Sequence, residues 1–277
     1  MYMRVLSVGH FNGLSSICFF LDGCWCFTCF YCLKPENRRQ EVDMRLAVIS
    51  DVHLGRGDRT DRFGHVPRHF HQFLDYLEPI SDRVVLLGDI VDTHHGRIPL
   101  AFWREFRAIC AAYPGLSDRL LGGRYQVVAG NHDACLLELP GVTSELYLEE
   151  REHRVLFQHG HQLDRLITFS PKLCAMGNYL GGTAARYGLD GALELLDWID
   201  NTANGGAAGR PGIYRDKAIE LGLERQVPLV VMGHIHDQDH YARKGVTYMN
   251  VGACLEGRFE YGLVDLTTGS GEVSCWR

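Results

Sequence analysis

Five short apolar runs, each ending in a small cluster of polar residues, limit the possible folds of this sequence more than any other feature. The runs have the length and the Val, Ile and Leu content of buried strands. They lie at residues 44–50, 83–87, 125–129, 155–158 and 228–232. Amphipathic stretches lie between several of them: Pro67 opens one predicted helix, and residues 100–112 form another. The alternation predicts an α/β core, in which ligands gather beyond the carboxyl ends of the strands.

The polar clusters contain the residue types that bind transition metals. In chain order they are Asp51-Val52-His53, Gly88-Asp89, Gly130-Asn131-His132-Asp133, His159-Gly160-His161 and Gly233-His234-Ile235-His236. Alternate side chains of an extended chain share a face, so each D-x-H or H-x-H pair is expected to direct both side chains to one site. Carboxylate, imidazole and amide oxygen together suit Mn, Fe, Zn or Co better than Ca. One such cluster is usually a turn or a cap, but chance rarely produces five in order.

The series D-x-H, G-D, G-N-H-D, H-G-H and G-H-x-H resembles the calcineurin-like metallophosphoesterases, and the resemblance extends from Arg45 to the C terminus. It implies an α/β fold of two packed sheets flanked by helices, an αββα metallophosphatase sandwich. It also implies two divalent metal ions, with manganese expected first and iron, zinc or cobalt as alternatives. One ion would be held by Asp51, His53 and His236, the second by Asn131, His159 and His234, and Asp89 would bridge them.

The implied activity is hydrolysis of a phosphomonoester, phosphodiester or pyrophosphate bond by a metal-activated hydroxide. By the same resemblance His132 is not a ligand, and it is expected to stabilise the transition state or to protonate the leaving oxygen. Asp133 is expected either to orient His132 or to cap the short helix that follows, with equal weight on each. Asp92 and His94 follow Asp89 closely and are expected near the substrate. The residues predicted to bind substrate are Arg56, Arg59, His95 and His161.

His161 has a second interpretation, as an alternate ligand or as a hydrogen-bonding partner of His159. Arg56 and Arg59 also have a second interpretation, as solvent-exposed loop residues without a role in binding, which is the commoner case for a loop arginine.

Residues 163–225 form a predicted helical insertion over the strand ends, with helices at 189–200 and 213–223 and a loop at 204–212. It is similar to the cap of the UDP-2,3-diacylglucosamine hydrolases, which accepts acyl chains. The chain departs from that branch at His132, where the branch has Arg, at His161, where it has Asp, and in the acidic segment after G-D. A small phosphorylated substrate with a hydrophobic group is therefore one expectation. The alternative is that the apolar residues only pack the helices of the cap together.

Composition weakens other classes of function. The net charge is -6 at pH 7 and no basic run stands out, so the footprint of a nucleic-acid binder is missing, although a nuclease of the same superfamily stays an alternative. A non-catalytic interaction module on this fold should have lost ligands, and all of them are present. The scattered cysteines are typical of buried thiols, and no apolar run has the length of a membrane span, so a cytoplasmic location is expected.

Residues 1–43 differ from the rest of the chain, because Phe, Cys and Trp crowd together there without helix or strand periodicity. We expect this segment to be disordered or a wrongly assigned upstream extension, and the metallophosphoesterase domain to span 44–277. The alternative is a metal site formed by Cys24, Cys26, Cys29 and Cys32, although their spacing matches neither zinc knuckles nor ferredoxins.

Overall fold

The computed structural model describes residues 5–11, 14–21, 24–26, 44–189, 191–203 and 206–277. They divide into two units, Met1–Val42 and Asp43–Arg277. In the first unit, strands β1 (Val5–Phe11), β2 (Leu14–Leu21) and β3 (Cys24–Cys26) pair antiparallel in that order. Cys29 and Cys32, two of the four cysteines considered as metal ligands, lie outside the described residues. The assignment of this segment as an extension stays a prediction.

The second unit contains two five-stranded sheets. The first has the strands β4 (Arg45–Ile49), β5 (Arg83–Leu87), β6 (Gln126–Val128), β12 (Glu260–Asp265) and β13 (Ser270–Cys275). Their order is β13-β12-β4-β5-β6, and β4, β5 and β6 run parallel. The second sheet has β7 (Glu145–Glu150), β8 (His153–Gln158), β9 (Leu229–Met232), β10 (Gln238–Arg243) and β11 (Val246–Val251). Its order is β10-β11-β9-β8-β7, with β8, β9 and β11 parallel.

The two sheets pack face to face through the residues that alternate along their strands. Leu46 and Val48 of β4 and Val85 of β5 belong to one buried cluster with Phe157 of β8 and Val231 of β9. Each of these side chains is fully shielded from solvent. Burying such side chains contributes roughly 1.5–3 kcal/mol each relative to exposure. The strands that carry the polar clusters therefore stand in the best-packed layer of the molecule.

Helices cover the outer face of each sheet. Against the first lie α1 (Pro67–Leu77), α2 (Phe102–Ala112) and α3 (Pro114–Leu121), and the buried residues of α1 are Phe70, Phe73, Leu74 and Leu77. Against the second lies the part of α7 (Gly206–Arg225) from Tyr214 onward, through Tyr214, Ala218 and Ile219. The four layers confirm the predicted αββα sandwich. They also hold the strand ends rigidly, because each sheet is packed on both faces.

The insertion is helical, as predicted. It contains α4 (Arg165–Phe169), α5 (Pro171–Arg186), α6 (Gly191–Ala203) and the first half of α7. The loop expected at 204–212 is wrong in part, because α7 begins at Gly206 and continues through Pro211. A proline in a helix removes one backbone hydrogen bond, but packing of the second half of α7 on the sheet stabilises the helix as a whole. None of the helices in the described ranges combines the length and the apolar character that a membrane crossing requires.

Candidate metal centre

The five polar clusters meet at one edge of the sandwich, but not by the extended geometry that the sequence suggested. Five of their residues have positive φ angles between 47° and 73°: Asp51, His53, Asp89, His234 and His236. This left-handed conformation costs a non-glycine residue roughly 1–3 kcal/mol. The chain therefore turns sharply after β4, β5 and β9 instead of continuing as a strand. Strain of this kind, repeated at one place, is typical of a functional site.

Asp51, His53 and His236 form the first ligand cluster. The Oδ1 atom of Asp51 lies 3.1 Å from Nε2 of His236 and 3.7 Å from Nε2 of His53, and the two imidazole nitrogens are 3.3 Å apart. The second carboxylate oxygen of Asp51 accepts the backbone amide of His234 at 2.8 Å. This bond fixes the carboxylate, so that Oδ1 points at the two imidazoles.

Asp89, His159 and His234 form the second cluster, with one ligand atom from each within 4.8 Å of the others. Nε2 of His159 lies 3.2 Å from Oδ2 of Asp89, and its Nδ1 lies 2.8 Å from the carbonyl oxygen of Leu87. A carbonyl only accepts, so Nδ1 carries a proton, and Nε2 is the nitrogen that a metal ion can bind in place of a second proton. Asp89 also forms a possible ligand group with His53 and His132. Because His53 belongs to the first cluster, the Asp89 carboxylate connects the two clusters.

Several buried polar atoms at this edge make no hydrogen bond within the described part of the chain; they include Asp51 Oδ1, Asn131 Oδ1 and His159 Nε2. Native proteins leave few buried polar atoms unsatisfied, because each costs roughly 1–3 kcal/mol. Their concentration here fits a site that binds cations. The donor set of carboxylates, imidazoles and one amide oxygen suits divalent first-row metal ions.

The charges of the cluster point to the same conclusion. Burial disfavours the charged form of His53, but Asp51 and Asp92 outweigh it and raise the pKa of this imidazole to about 10. Burial likewise opposes protonation of His159, yet Asp89 and Asp51 raise its pKa to about 9. Burial would also raise the pKa values of the Asp51 and Asp89 carboxyls, but nearby imidazoles hold both well below the usual range. Protons on imidazoles thus balance the carboxylates, as a bound cation would.

Asp92 orients His132. Its Oδ1 lies 2.9 Å from Nδ1 of His132, while its Oδ2 lies 2.6 Å from Nδ1 of His95 and 3.7 Å from Nδ1 of His53. Asp92 is buried, whereas the His132 side chain keeps 13% of its surface exposed and faces the cavity described below. The sequence placed Asp92 near the substrate and did not identify this role. The only available signal was its spacing of three residues from Asp89.

Asp133 has neither of the two roles considered from the sequence. Its carboxylate accepts the backbone amides of Ile90 at 2.7 Å and Gly130 at 2.6 Å, and no side-chain hydrogen bond caps the following helix. Burial, together with the nearby Asp89 charge, raises the pKa of Asp133 to about 6. The side chain therefore ties two strand-exit loops together. Such a tie needs both loops in place, so local sequence could not predict it.

The four predicted substrate-binding residues lie elsewhere than expected. Arg56 pairs with Glu105, Arg59 is an exposed loop residue, and His95 is buried against Asp92. The His161 ring lies beside those of His159 and His234, with centroids 5.4 and 6.4 Å away, and lines a smaller neighbouring cavity. None of the four lines the cavity that contains the ligand clusters.

A cavity of about 520 Å³ separates the candidate metal centre from the cap. Its core side contains His53, Asp89, Asn131, His132, His234 and His236. Its cap side is largely apolar and contains Leu166, Ile167, Leu173, Leu196 and Ile199. Two arginines line it, Arg62 from the first loop and Arg210 from α7. The sequence analysis identified neither arginine. Arg210 lies in the segment expected to be a loop, and only the folded cap brings it to the site.

Comparison of the sequence with models of known protein families finds one match. Residues 44–238 match the family model of the calcineurin-like phosphoesterases. No protein with curated annotation matches the chain.

Some solved structures are similar to this chain at low sequence identity. A predicted phosphoesterase from Streptococcus pneumoniae is 14% identical over 84% of this chain and 98% of its own, with a TM-score of 0.36. Vacuolar protein sorting 29 from Cryptosporidium parvum is 13% identical over 84% of this chain and 97% of its own, with a TM-score of 0.40. An archaeal phosphodiesterase is 15% identical over 84% of this chain and 100% of its own, with a TM-score of 0.39.

Proposed function

The chain belongs to the calcineurin-like phosphoesterase family, and from this membership and the geometry of its site we propose that it hydrolyses a phosphoric ester or pyrophosphate bond with two divalent metal ions. The observation that carries the proposal is the position of the Asp89 carboxylate. It forms one possible ligand group with His53 and His132 and another with His159 and His234. A shared carboxylate is what two closely spaced cations require to reduce their mutual repulsion. The activity is assigned to residues 44–277, which contain every one of these side chains.

The proposed ligands of the first ion are Asp51, His53 and His236, those of the second are Asn131, His159 and His234, and Asp89 is shared. Manganese is the first choice, with iron, zinc and cobalt as alternatives, since this donor set accepts several first-row ions. When bound, the ions would acidify a water molecule and polarise the phosphoryl oxygens.

The protein's own groups complete the proposed site. Asp92 holds Nδ1 of His132 at 2.9 Å, which leaves Nε2 as the nitrogen that protonates the leaving oxygen. Arg62 and Arg210 line the cavity from opposite sides, and their guanidinium groups suit the remaining phosphate oxygens. These two replace Arg56 and Arg59 as the proposed phosphate-binding residues.

The substrate is proposed to be a small phosphorylated molecule with a hydrophobic group. The support is the apolar cap wall, where Leu166, Ile167 and Leu173 face the same cavity as the metal ligands. Leu173 is 68% exposed although it lines the cavity, so packing within the cap does not account for this side chain. The cytoplasm is the proposed location, because Cys110, Cys135, Cys254 and Cys275 are free thiols.

The test is activity of the Mn-loaded protein on p-nitrophenyl phosphate, bis-p-nitrophenyl phosphate, UDP-sugars and nucleotides, with metal content measured in parallel. We expect two equivalents of Mn, and a preference within the panel that identifies the bond type. Asp89→Ala should abolish turnover and lose at least one equivalent, because its carboxylate serves both sites.

The matched control is Asp118→Ala, which removes an exposed carboxylate on α3 and should change neither quantity. Two full equivalents of Mn in Asp89→Ala, or an Mn-loaded wild type that is inactive on the whole panel, would contradict the proposal.

A further inference from the structure

Asp164 is a fully buried carboxylate at the junction between the core and the cap. It follows the H-G-H cluster and precedes α4. One of its oxygens, Oδ1, accepts the backbone amides of Leu166 at 2.8 Å and Ile167 at 3.1 Å. These bonds cap the N-terminus of α4 and fix the orientation of the carboxylate. They also set the position of Leu166 and Ile167, whose side chains line the cavity.

The other oxygen of Asp164 faces the metal centre and α7 at once. Oδ2 lies 3.6 Å from Nε2 of His234, a proposed ligand of the second ion. The hydroxyl of Tyr214 donates to the same oxygen at 3.4 Å, and a guanidinium nitrogen of Arg210 lies 3.9 Å away. One carboxylate therefore lies next to a proposed metal ligand and to α4 and α7, two of the four helices that line the cap side of the cavity.

We propose that Asp164 is a positioning residue that holds His234 in the tautomer with its proton on Nε2, and that couples this tautomer to the position of the cap. The inference rests on the proposed function, since it assigns His234 to the second metal site. A carboxylate accepts hydrogen bonds and cannot donate, so it favours an N–H at the nitrogen that faces it. The lone pair of the ring is then on Nδ1, the nitrogen left for the metal.

The capping bonds make Asp164→Asn a discriminating variant. Only the amide oxygen of an asparagine accepts hydrogen bonds, and the amides of Leu166 and Ile167 require an acceptor, so this oxygen takes the place of Oδ1. The NH2 group then faces Nε2 of His234 and donates to it. That arrangement moves the ring proton to Nδ1, where it competes with a metal ion. Asparagine is as good an N-cap as aspartate, so α4 should stay folded.

The experiment is titration of the metal-free protein with MnCl2 by calorimetry, together with nitrogen NMR of the imidazoles. In Asp164→Asn, we expect Mn affinity at one of the two sites to fall about 10–100-fold, as for other partners of metal-binding histidines. The proton of His234 should move from Nε2 to Nδ1, and the Mn concentration that gives half-maximal activity should rise by the same factor. Asp164→Ser keeps a capping oxygen without the opposing NH2 group and should show a smaller loss of affinity.

Asp239→Asn is the matched control. Asp239 is another buried carboxylate that ties α7 to the core, through two bonds of 2.7 Å to Arg215, but it does not contact the candidate ligands. The Asp239→Asn substitution should lower the melting temperature of the protein and leave its Mn affinity unchanged. Wild-type Mn affinity in both Asp164 variants, or an equal loss in Asp239→Asn, would overturn the inference alone. A wild-type protein that binds no Mn would overturn the proposed function as well.

Discussion

The strand-exit edge of the core and the helical cap face each other across one cavity, yet they are built in different ways. At the core edge the proposed ligands Asp51 and Asp89 are at most 1% exposed, and their backbones are held in strained left-handed conformations. On the cap, Phe169 is 86% exposed and Trp198 63% exposed, and apolar side chains face solvent as well as the cavity. Under the proposed function, we infer from this difference that the core fixes the chemistry and that the cap selects the substrate.

The strand-exit loops of the core are tied to one another by hydrogen bonds. Asp133 ties the loop after β5 to the loop after β6, and the backbone amide of His234 holds the carboxylate of Asp51. A displacement of one loop therefore disturbs both proposed metal sites. The apolar side chains of the cap wall make no polar contacts of their own, so substitutions among them should change binding of the substrate without changing the metals.

Gly130→Ala should have the largest effect of the substitutions that leave every ligand in place. A methyl group on this residue would overlap Oδ1 of Asp89 and lie 2.5 Å from the Asp89 backbone nitrogen. Because both atoms belong to the shared carboxylate residue, the loop must shift. We expect loss of most activity and of at least one Mn equivalent, and a stability loss of about 1–3 kcal/mol. Metal analysis and urea unfolding measure these quantities.

Gly115→Ala is the control for this substitution, because Gly115 lies in α3 with open space around its Cα. Alanine in a helix is favoured over glycine by up to roughly 1 kcal/mol, so this variant should be as stable as the wild type or more so, and fully active. If Gly130→Ala also kept two metals and full turnover, the core edge would be more adaptable than its packing indicates, and the contrast with the cap would fail.

His132→Ala should have the next largest effect, on turnover alone. If His132 protonates the leaving oxygen, activity should fall by about 10²–10⁴-fold while Mn content is unchanged. Substrates with poor leaving groups should lose more than nitrophenyl esters. Asp92→Asn should reproduce part of this loss, because it weakens the 2.9 Å contact that orients the ring. Equal losses for good and poor leaving groups, or loss of metal from His132→Ala, would assign His132 a structural or ligand role.

The sequence predicted the core far better than the cap. The bounds predicted for β5 are those observed, and β4, β8 and β9 differ by one or two residues, because continuous apolar runs identify strands buried on both faces. β7 and β10 were not predicted. Both are edge strands with many polar residues, so they carry little of the apolar pattern.

The residues of the candidate site also differ in how well the sequence predicted them. The cluster residues at the strand exits were identified from the sequence, because a polar cluster with metal-binding residue types follows each of the five predicted strands. The contacts of Asp133, Asp164 and Arg210 were not, since each depends on another loop or on the cap. A carboxylate next to a histidine in sequence is not necessarily its partner, and here Asp92 holds His132 from a different loop.

The smallest expected effect concerns the cap wall. Leu173→Ser and Ile199→Ser each remove an apolar side chain that lines the cavity, whereas Leu223→Ser removes an exposed leucine of α7 that does not. If the wall binds a hydrophobic group, the first two should raise KM for an acylated phosphoester by about 10-fold each, since contacts remote from the reacting phosphate supply binding energy. Turnover of bis-p-nitrophenyl phosphate and the Mn content should not change, and Leu223→Ser should behave as wild type. An equal response of small and acylated substrates would show that the cap acts as a structural lid, and substrate selection would then belong to the core edge as well.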